Sequence, residues 1–249
     1  MHSPLRSTIP VETLLLAYRS GIFPMADTRE DQDIFWVEPR DRAILPLDGF
    51  HLSKSLRKVV RSDRYRVTLN TAFAEVIRAC SQPRPGHPET WISERIVRSY
   101  IALHQAGHAH SLECWRLGDD PAGAPTLVGG LYGVSFDRTF CGESMFSRAD
   151  NASKVALSWL VALMRRARYQ VLDCQFMTDH LASLGAVEMP QARYMQTLER
   201  ARGRPMMTLA EAYASFTEPP IDSGADSAQL SSGAGSPGKR IAQSLTQTS

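Results

Sequence analysis

From Arg66 onward the chain alternates short apolar runs of strand length with runs of helical period, and this alternation limits the fold more than any other feature. Tyr65 to Leu69 reads as a strand and Ala72 to Ala79 as a helix. Ser93 is placed to cap a long helix through Leu103, which Gly107 ends. Strands follow near Ser111 to Leu117 and Thr126 to Val134, with a loop from Gly118 to Pro125 between them, and Arg138 to Cys141 completes a hairpin. Asp150 or Asn151 caps a helix reaching about Ala167, and Tyr169 to Phe176 is a strand. A short helix ending at Gly185 then leads to a further strand, Pro190 and a final helix. Antiparallel strands in the middle, with helices between and after them, predict a mixed sheet of the α/β (α+β) class.

The first fifty residues differ, carrying turn signals and loop-like aromatics around Gly21-Ile22-Phe23-Pro24 and Phe35-Trp36-Val37-Glu38-Pro39, after one helix near Val11 to Tyr18. They predict a small loop-rich N-terminal domain over 1–60, ahead of a main domain over 61–218. From Pro219 to Ser249 the chain is largely Ser, Gly, Ala and Gln with no aromatic residue, which predicts a disordered tail because so little apolar surface cannot offset the entropy of ordering. With 249 residues, 43% of them hydrophobic, the chain can build one large core or a main core and a small one. A net charge of +2 is too small to argue for a polyanionic partner, so any such argument rests on where the basic residues lie. Cys80, Cys114, Cys141 and Cys174 are far apart with no C-x-x-C pair, so buried reduced thiols are expected and a metal site is not. No leader pattern opens the chain and no run of about 18 apolar residues occurs, which points to the cytoplasm and away from the membrane.

Three segments combine residue types that could carry chemistry. In Val171-Leu172-Asp173-Cys174-Gln175-Phe176 the period of a strand puts Asp173 and Gln175 on one face and Leu172, Cys174 and Phe176 on the other. A carboxylate amid apolar neighbours is costly to bury unless paired, so Asp173 is either a structural hydrogen-bond acceptor or part of a site aimed at a reacting amine. In Phe140-Cys141-Gly142-Glu143-Ser144-Met145-Phe146-Ser147, Gly142 permits close backbone approach or an unusual turn, and Glu143 and Ser144 are polar groups in an apolar frame. That is the composition of a small-ligand pocket and equally of a strand-to-loop transition. In His51 to Arg61, Lys54, Arg57, Lys58 and Arg61 recur at helical spacing on one face, opposite Leu52, Leu56, Val59 and Val60. A solvated amphipathic helix is the commoner meaning of such a run, but with no acidic residue until Asp63 the like charges repel, and a cationic face of this kind also suits a phosphate backbone.

Together these segments resemble the leucyl/phenylalanyl-tRNA–protein transferase family. The resemblance runs from Tyr18-Arg19-Ser20-Gly21-Ile22-Phe23-Pro24-Met25 to about Arg193 and includes Trp36-Val37-Glu38-Pro39-Arg40, Thr90-Trp91-Ile92, Gly107-His108-Ala109-His110-Ser111, Leu127 to Val134, Asn151-Ala152-Ser153-Lys154 and His180 to Ala186. It implies a small N-terminal domain on an acyl-CoA N-acyltransferase-like domain. The chain lacks the Q/R-x-x-G-x-G/A turn that cradles coenzyme A pyrophosphate, so the implied donor is an aminoacyl ester on tRNA and no cofactor is expected.

By that resemblance the chain is an aminoacyltransferase moving Leu or Phe, and Met less well, from aminoacyl-tRNA to the N-terminal Arg or Lys of acceptor proteins, marking them for N-degron degradation. Asp173 and Gln175 are implied to orient the attacking amine, and Glu143 to bind an amino group. The donor side chain is implied to enter an apolar pocket walled by Trp91, Leu131, Phe140, Met145, Leu160, Met164 and Leu172, with Gly142 beside it. The family has Met in place of Leu131 and aromatics in place of Leu160 and Met164, so pocket size is where this chain departs from it. Lys54, Arg57, Lys58 and Arg61 are expected to hold the tRNA acceptor stem, and a monomer is expected. Competing readings are a related aminoacyl-tRNA transferase with a different acceptor, a coenzyme A-dependent N-acetyltransferase, and a non-catalytic tRNA-binding module.

Overall fold

The structure, a computed structural model, describes residues 8–31, 33–83, 89–118, 123–218 and 235–246. Helix α1 (Val11–Arg19) precedes a two-stranded antiparallel ribbon of β1 (Phe23–Met25) and β2 (Phe35–Val37). The chain then enters a larger sheet through β3 (Asp41–Ile44), followed by α2 (Lys54–Arg61), β4 (Arg66–Leu69), α3 (Phe73–Cys80) and α4 (Glu94–Gln105). Next come β5 (Ala109–Arg116), β6 (Thr126–Phe136), β7 (Thr139–Ser147), α5 (Ala152–Ala167) and β8 (Val171–Gln175). The chain closes with α6 (Asp179–Ser183), β9 (Val187–Pro190), α7 (Gln191–Arg200), α8 (Leu209–Thr217) and α9 (Pro237–Thr246).

The main sheet has seven strands in the order β4-β5-β6-β7-β8-β3-β9. All its pairings are antiparallel except β7 with β8, so the sheet is mixed, as expected. It separates two apolar cores. One holds α5 with Leu56 and Val60 of α2, Leu209 of α8 and Ile241 of α9; the other holds α1, α3, α4 and Tyr194 and Leu198 of α7. Helix α5 is apolar nearly all round and is accordingly buried along most of its length, with Arg165 and Arg166 placed favourably in its last turn. Central strand β6 contributes Leu131 to one core and Tyr132 to the other, which is why its sequence reads as a continuous apolar run.

Most expected elements recur within a residue or two. Two expected caps differ in mechanism. Ser93 and Asn151 stand at the N-cap positions of α4 and α5, but neither side chain bonds to the helix, and Asn151 instead adopts a left-handed backbone with φ 64°. Residues 119–122 of the expected Gly118–Pro125 loop lie outside the described residues. Residues 1–60 are not set apart throughout, since β3 lies between β8 and β9 in the main sheet. The expected tail needs correction over Pro237–Thr246. These residues form α9, whose Ile241 and Ala242 are buried against the main core; the rest of 219–249 apart from 235 and 236 lies outside the described residues. Composition averaged over the tail hid a short amphipathic helix that gains its stability from packing rather than propensity.

Candidate active site

The site arises where β7 and β8 part. They run parallel only from Thr139 beside Val171 to Cys141 beside Asp173; beyond that, β7 continues to Ser147 against β6 while β8 stops at Gln175. The opening between them is a cavity of about 390 Å³. Gly142, Glu143, Ser144 and Met145 line one side, Cys174, Gln175 and Phe176 the other, and Leu131, Leu160 and Leu172 the apolar depth.

Two backbone irregularities aim the polar groups. In the β6–β7 ladder Tyr132 faces Ser144 and Gly133 faces Gly142, so Glu143 is the extra residue of a β-bulge. Bulges re-aim side chains, and this one turns Glu143 into the cavity wall. Gly133 permits the tight crossing beside it, since a Cβ there would collide with the Cys141 backbone carbonyl and the Phe140 ring. On the other strand Gln175 has φ 57° and the Phe176 N–H returns 2.8 Å to the Cys174 carbonyl, so the chain reverses at Gln175. A left-handed glutamine is disfavoured, and such conformations gather at functional sites. The reversal breaks strand alternation, which is why Leu172, Cys174, Gln175 and Phe176 all reach the same cavity.

Asp173 holds that reversal in place. Its carboxylate receives the Arg42 guanidinium at 2.7 Å with both side chains fully buried, the Tyr194 hydroxyl at 2.9 Å, the Cys141 thiol at 3.3 Å, and the Gln175 backbone N–H at 2.9 Å. Arg42 also donates to the Gly21 carbonyl and lies over the rings of Phe23 and Tyr194. Asp173 does not line the cavity, whereas Gln175 does. The expected shared face of Asp173 and Gln175 is therefore not realised at the side chains, because the backbone turns between them.

Glu143 accepts 2.9 Å from Gln175 Nε2 and 3.1 Å from the Tyr100 hydroxyl, which in turn contacts the Tyr18 hydroxyl. Burial pushes the Glu143 carboxyl up to about 7, and the Asp173 charge adds to this, while hydrogen bonding from Tyr18 and Tyr100 opposes it. Burial also lowers the His180 imidazole, with the Lys154 charge acting the same way. The Cys141 thiol is raised by burial first and by Asp173 next, so it is an inert hydrogen-bond donor.

Of the expected pocket residues, Trp91, Leu131, Gly142, Glu143, Met145, Leu160 and Leu172 line the cavity, as does Gln175. Phe140 and Met164 are fully buried in the core behind it and do not reach it. Gly142 is not demanded by close approach, since a Cβ there would meet only the Asp173 carbonyl at an ordinary 3.6 Å. Sequence reasoning missed Phe23, Tyr132, Leu157 and Thr178, which also line the cavity, and Arg42 and Tyr194, which hold Asp173. A buried carboxylate demands a cation, and that was the available signal, but nothing local pointed to Arg42 over the other arginines.

A second feature lies on the helical side. Lys54, Arg57, Lys58 and Arg61 of α2 line one cleft of about 570 Å³, with Ser62 and Lys239 completing it. Beside the main cavity, and sharing Trp91 and Ser144 with it, a smaller cleft of about 220 Å³ carries Asp27, Glu89 and Thr90. No helix among the described residues is long and apolar enough to cross a membrane.

Comparison with known proteins places this site in context. Residues 44–199 match the family model described as leucyl/phenylalanyl-tRNA protein transferase, and residues 7–40 match that of its N-terminal domain. A leucyl/phenylalanyl-tRNA–protein transferase of Novosphingobium aromaticivorans is 54% identical, the match covering 97% of each chain. That of Rhizorhabdus wittichii is 53% identical over 78% of this chain and 76% of its own, and that of Rhodopseudomonas palustris strain TIE-1 is 49% identical over 88% and 91%. The two family models meet at residues 40 to 44, where β3 enters the main sheet, and with relatives alike over nearly the whole length the chain belongs to the leucyl/phenylalanyl-tRNA–protein transferase family.

Proposed function

We propose that this protein transfers leucine or phenylalanine, and methionine less well, from aminoacyl-tRNA to acceptor proteins beginning with Arg or Lys, marking them for degradation. The observation that carries the chemistry is the apolar cavity with Glu143 and Gln175 at its wall. An apolar donor side chain fills the depth at Leu131, Leu160 and Leu172, which places its ester carbonyl near the polar wall. The acceptor amine attacks that carbonyl carbon, the new C–N bond forms, the C–O bond to ribose breaks, and the proton lost by the amine ends on the ribose oxygen. An α-amine of pKa roughly 7.7–8 is partly neutral at pH 7, so positioning matters more than strong base.

In this reading Gln175 and Glu143 are the catalytic residues. Gln175 donates its Nε2 to Glu143, which leaves its amide oxygen to accept from the attacking amine. Glu143, with a carboxyl at about 7, can take and return a proton near neutral pH. Asp173 acts through Gln175 as a positioning residue. The cationic face of α2 holds the acceptor stem through its phosphates, without reading sequence. Arg or Lys at the start of the acceptor is supported by Asp27 and Glu89 in the adjoining cleft, which have the sign a cationic side chain needs. The reaction belongs where charged tRNA and such acceptors meet, in the cytoplasm, and the enzyme acts as a monomer.

The test is purified protein with labelled phenylalanyl-tRNA and peptides beginning with Arg, Lys, Asp or Met. Transfer to the Arg and Lys peptides alone is expected. Transfer to Asp alone, or valine as the best donor in competition, would refute the assignment.

A further inference from the structure

Helix α9 lies beyond residue 199, where the family model ends, and it closes the cationic cleft beside α2. Its residues Pro237 to Thr246 include Lys239 and Arg240 and no acidic residue. Lys239 is exposed and shares the cleft with Lys54, Arg57, Lys58, Arg61 and Ser62. Among the described residues none of these five cations has a side-chain ion pair.

The helix is fastened rather than merely resting there. Asp63, the first acidic residue after α2, takes a left-handed backbone of φ 48° and accepts the Gly238 N–H at 2.7 Å. Gly238 fits so closely that a Cβ would collide with the Val60 carbonyl and stand 2.6 Å from the Asp63 carboxylate. Ile241 and Ala242 are buried, Arg240 donates 2.9 Å to the Glu218 carbonyl, and Arg165 donates 3.3 Å to the Leu245 carbonyl near the other end. Arg240 is thus turned to the scaffold while its neighbour Lys239 faces the cleft.

Five like charges around one concave space repel one another, and docking α9 adds the fifth at the cost of more repulsion. That arrangement is favourable overall when a polyanion fills the space and its counterions are released. We infer that α9 is a built part of the tRNA-binding surface, with Lys239 contacting the phosphate backbone across the cleft from α2. The inference rests on the reading of α2 as the acceptor-stem contact and extends it to an element beyond the residues that the family model matches.

The experiment measures equilibrium binding of phenylalanyl-tRNA to the full chain across a series of salt concentrations. Lys239→Glu is expected to weaken binding about 3- to 10-fold at low salt and to reduce the slope of log K against log salt by about one. Gly238→Val, which displaces α9 through the Val60 clash, is expected to give a similar loss with the main unfolding transition retained. The pair Arg57→Glu and Arg61→Glu serves as reference and weakens binding more. If the reference pair weakens binding while Lys239→Glu leaves affinity and slope unchanged, the role of α9 is overturned and that of α2 stands. If Gly238→Val weakens binding and Lys239→Glu does not, α9 only braces α2, and the inference fails. If the reference pair has no effect, the reading of α2 fails and takes this inference with it.

Discussion

The Arg42 guanidinium spans both carboxylate oxygens of Asp173, at 3.0 and 3.1 Å from Nε and 2.7 Å from the second nitrogen, and neither side chain is exposed. Breaking one side of such a pair leaves the other charge buried and unpaired. Asp173→Asn is therefore expected to lower stability by about 3–5 kcal/mol, measured by denaturant unfolding. Arg42→Gln combined with Asp173→Asn removes both charges and should recover much of that loss. If Asp173 positions Gln175, the double variant still has a depressed kcat with tRNA affinity unchanged; near-normal kcat would make the pair structural only.

Gln175 separates backbone from side chain. Its φ of 57° suits glycine, so Gln175→Gly should hold or raise stability, by up to about 1–2 kcal/mol. The same change removes the amide that reaches Glu143 and should slow single-turnover transfer about 100-fold or more. A variant as fast as the parent would remove Gln175 from the chemistry.

On the proposed mechanism, Glu143 links catalysis to stability through pH. Its carboxyl is raised to about 7 in the folded protein, chiefly by burial, against an ordinary value of about 4.5. Between those values the folded state holds more protons than the unfolded one, so this group's contribution makes stability fall as pH rises from 4.5 to 7 and level off above. Glu143→Gln should therefore gain Tm relative to the parent as pH rises from 5 to 8. The rate of transfer should climb through pH 7 in the parent, and the limb near 7 should vanish in the variant. An unchanged pH profile would exclude Glu143 as the titrating group.

The apolar depth is set by leucines rather than by larger side chains. Leu160→Phe fills part of the 390 Å³ cavity and should lower transfer of phenylalanine relative to leucine. A change of about 1–3 kcal/mol, or 10- to 100-fold in the ratio, is the scale such pockets resolve. Competing phenylalanyl- and leucyl-tRNA in one reaction measures it, and an unchanged ratio would place the donor side chain elsewhere.

How far the sequence was legible follows from which forces were local. Strand and helix periods located nearly every element from α2 to α7, because one-sided burial imposes those periods directly. The strand β3 escaped, since four residues, Asp41–Ile44, with two charged at the start carry no alternation, and only pairing with β8 and β9 makes them a strand. At the site, Gly142, Glu143 and Met145 stood in a segment with the composition of a pocket, while Leu172 came from the family resemblance, as did Phe140 and Met164, which lie behind the wall because apolar character does not reveal which side of a helix or strand faces a cavity. The bulge at Glu143 and the reversal at Gln175 depend on register between strands far apart in sequence, which no single stretch encodes.

The insertion of β3 between β8 and β9 also sets when the enzyme can come into being. Arg42 waits 131 residues of synthesis for Asp173, and the sheet edge that sandwiches it is completed only at Val187–Pro190. Contacts of such long sequence separation form late in folding. Until Val187–Pro190 is made, β3 has β8 alone beside it, and until Tyr194 is made the Asp173 carboxylate lacks one of its donors, so the anchoring of the turn at Gln175 is completed only after most of the cavity lining has been synthesised.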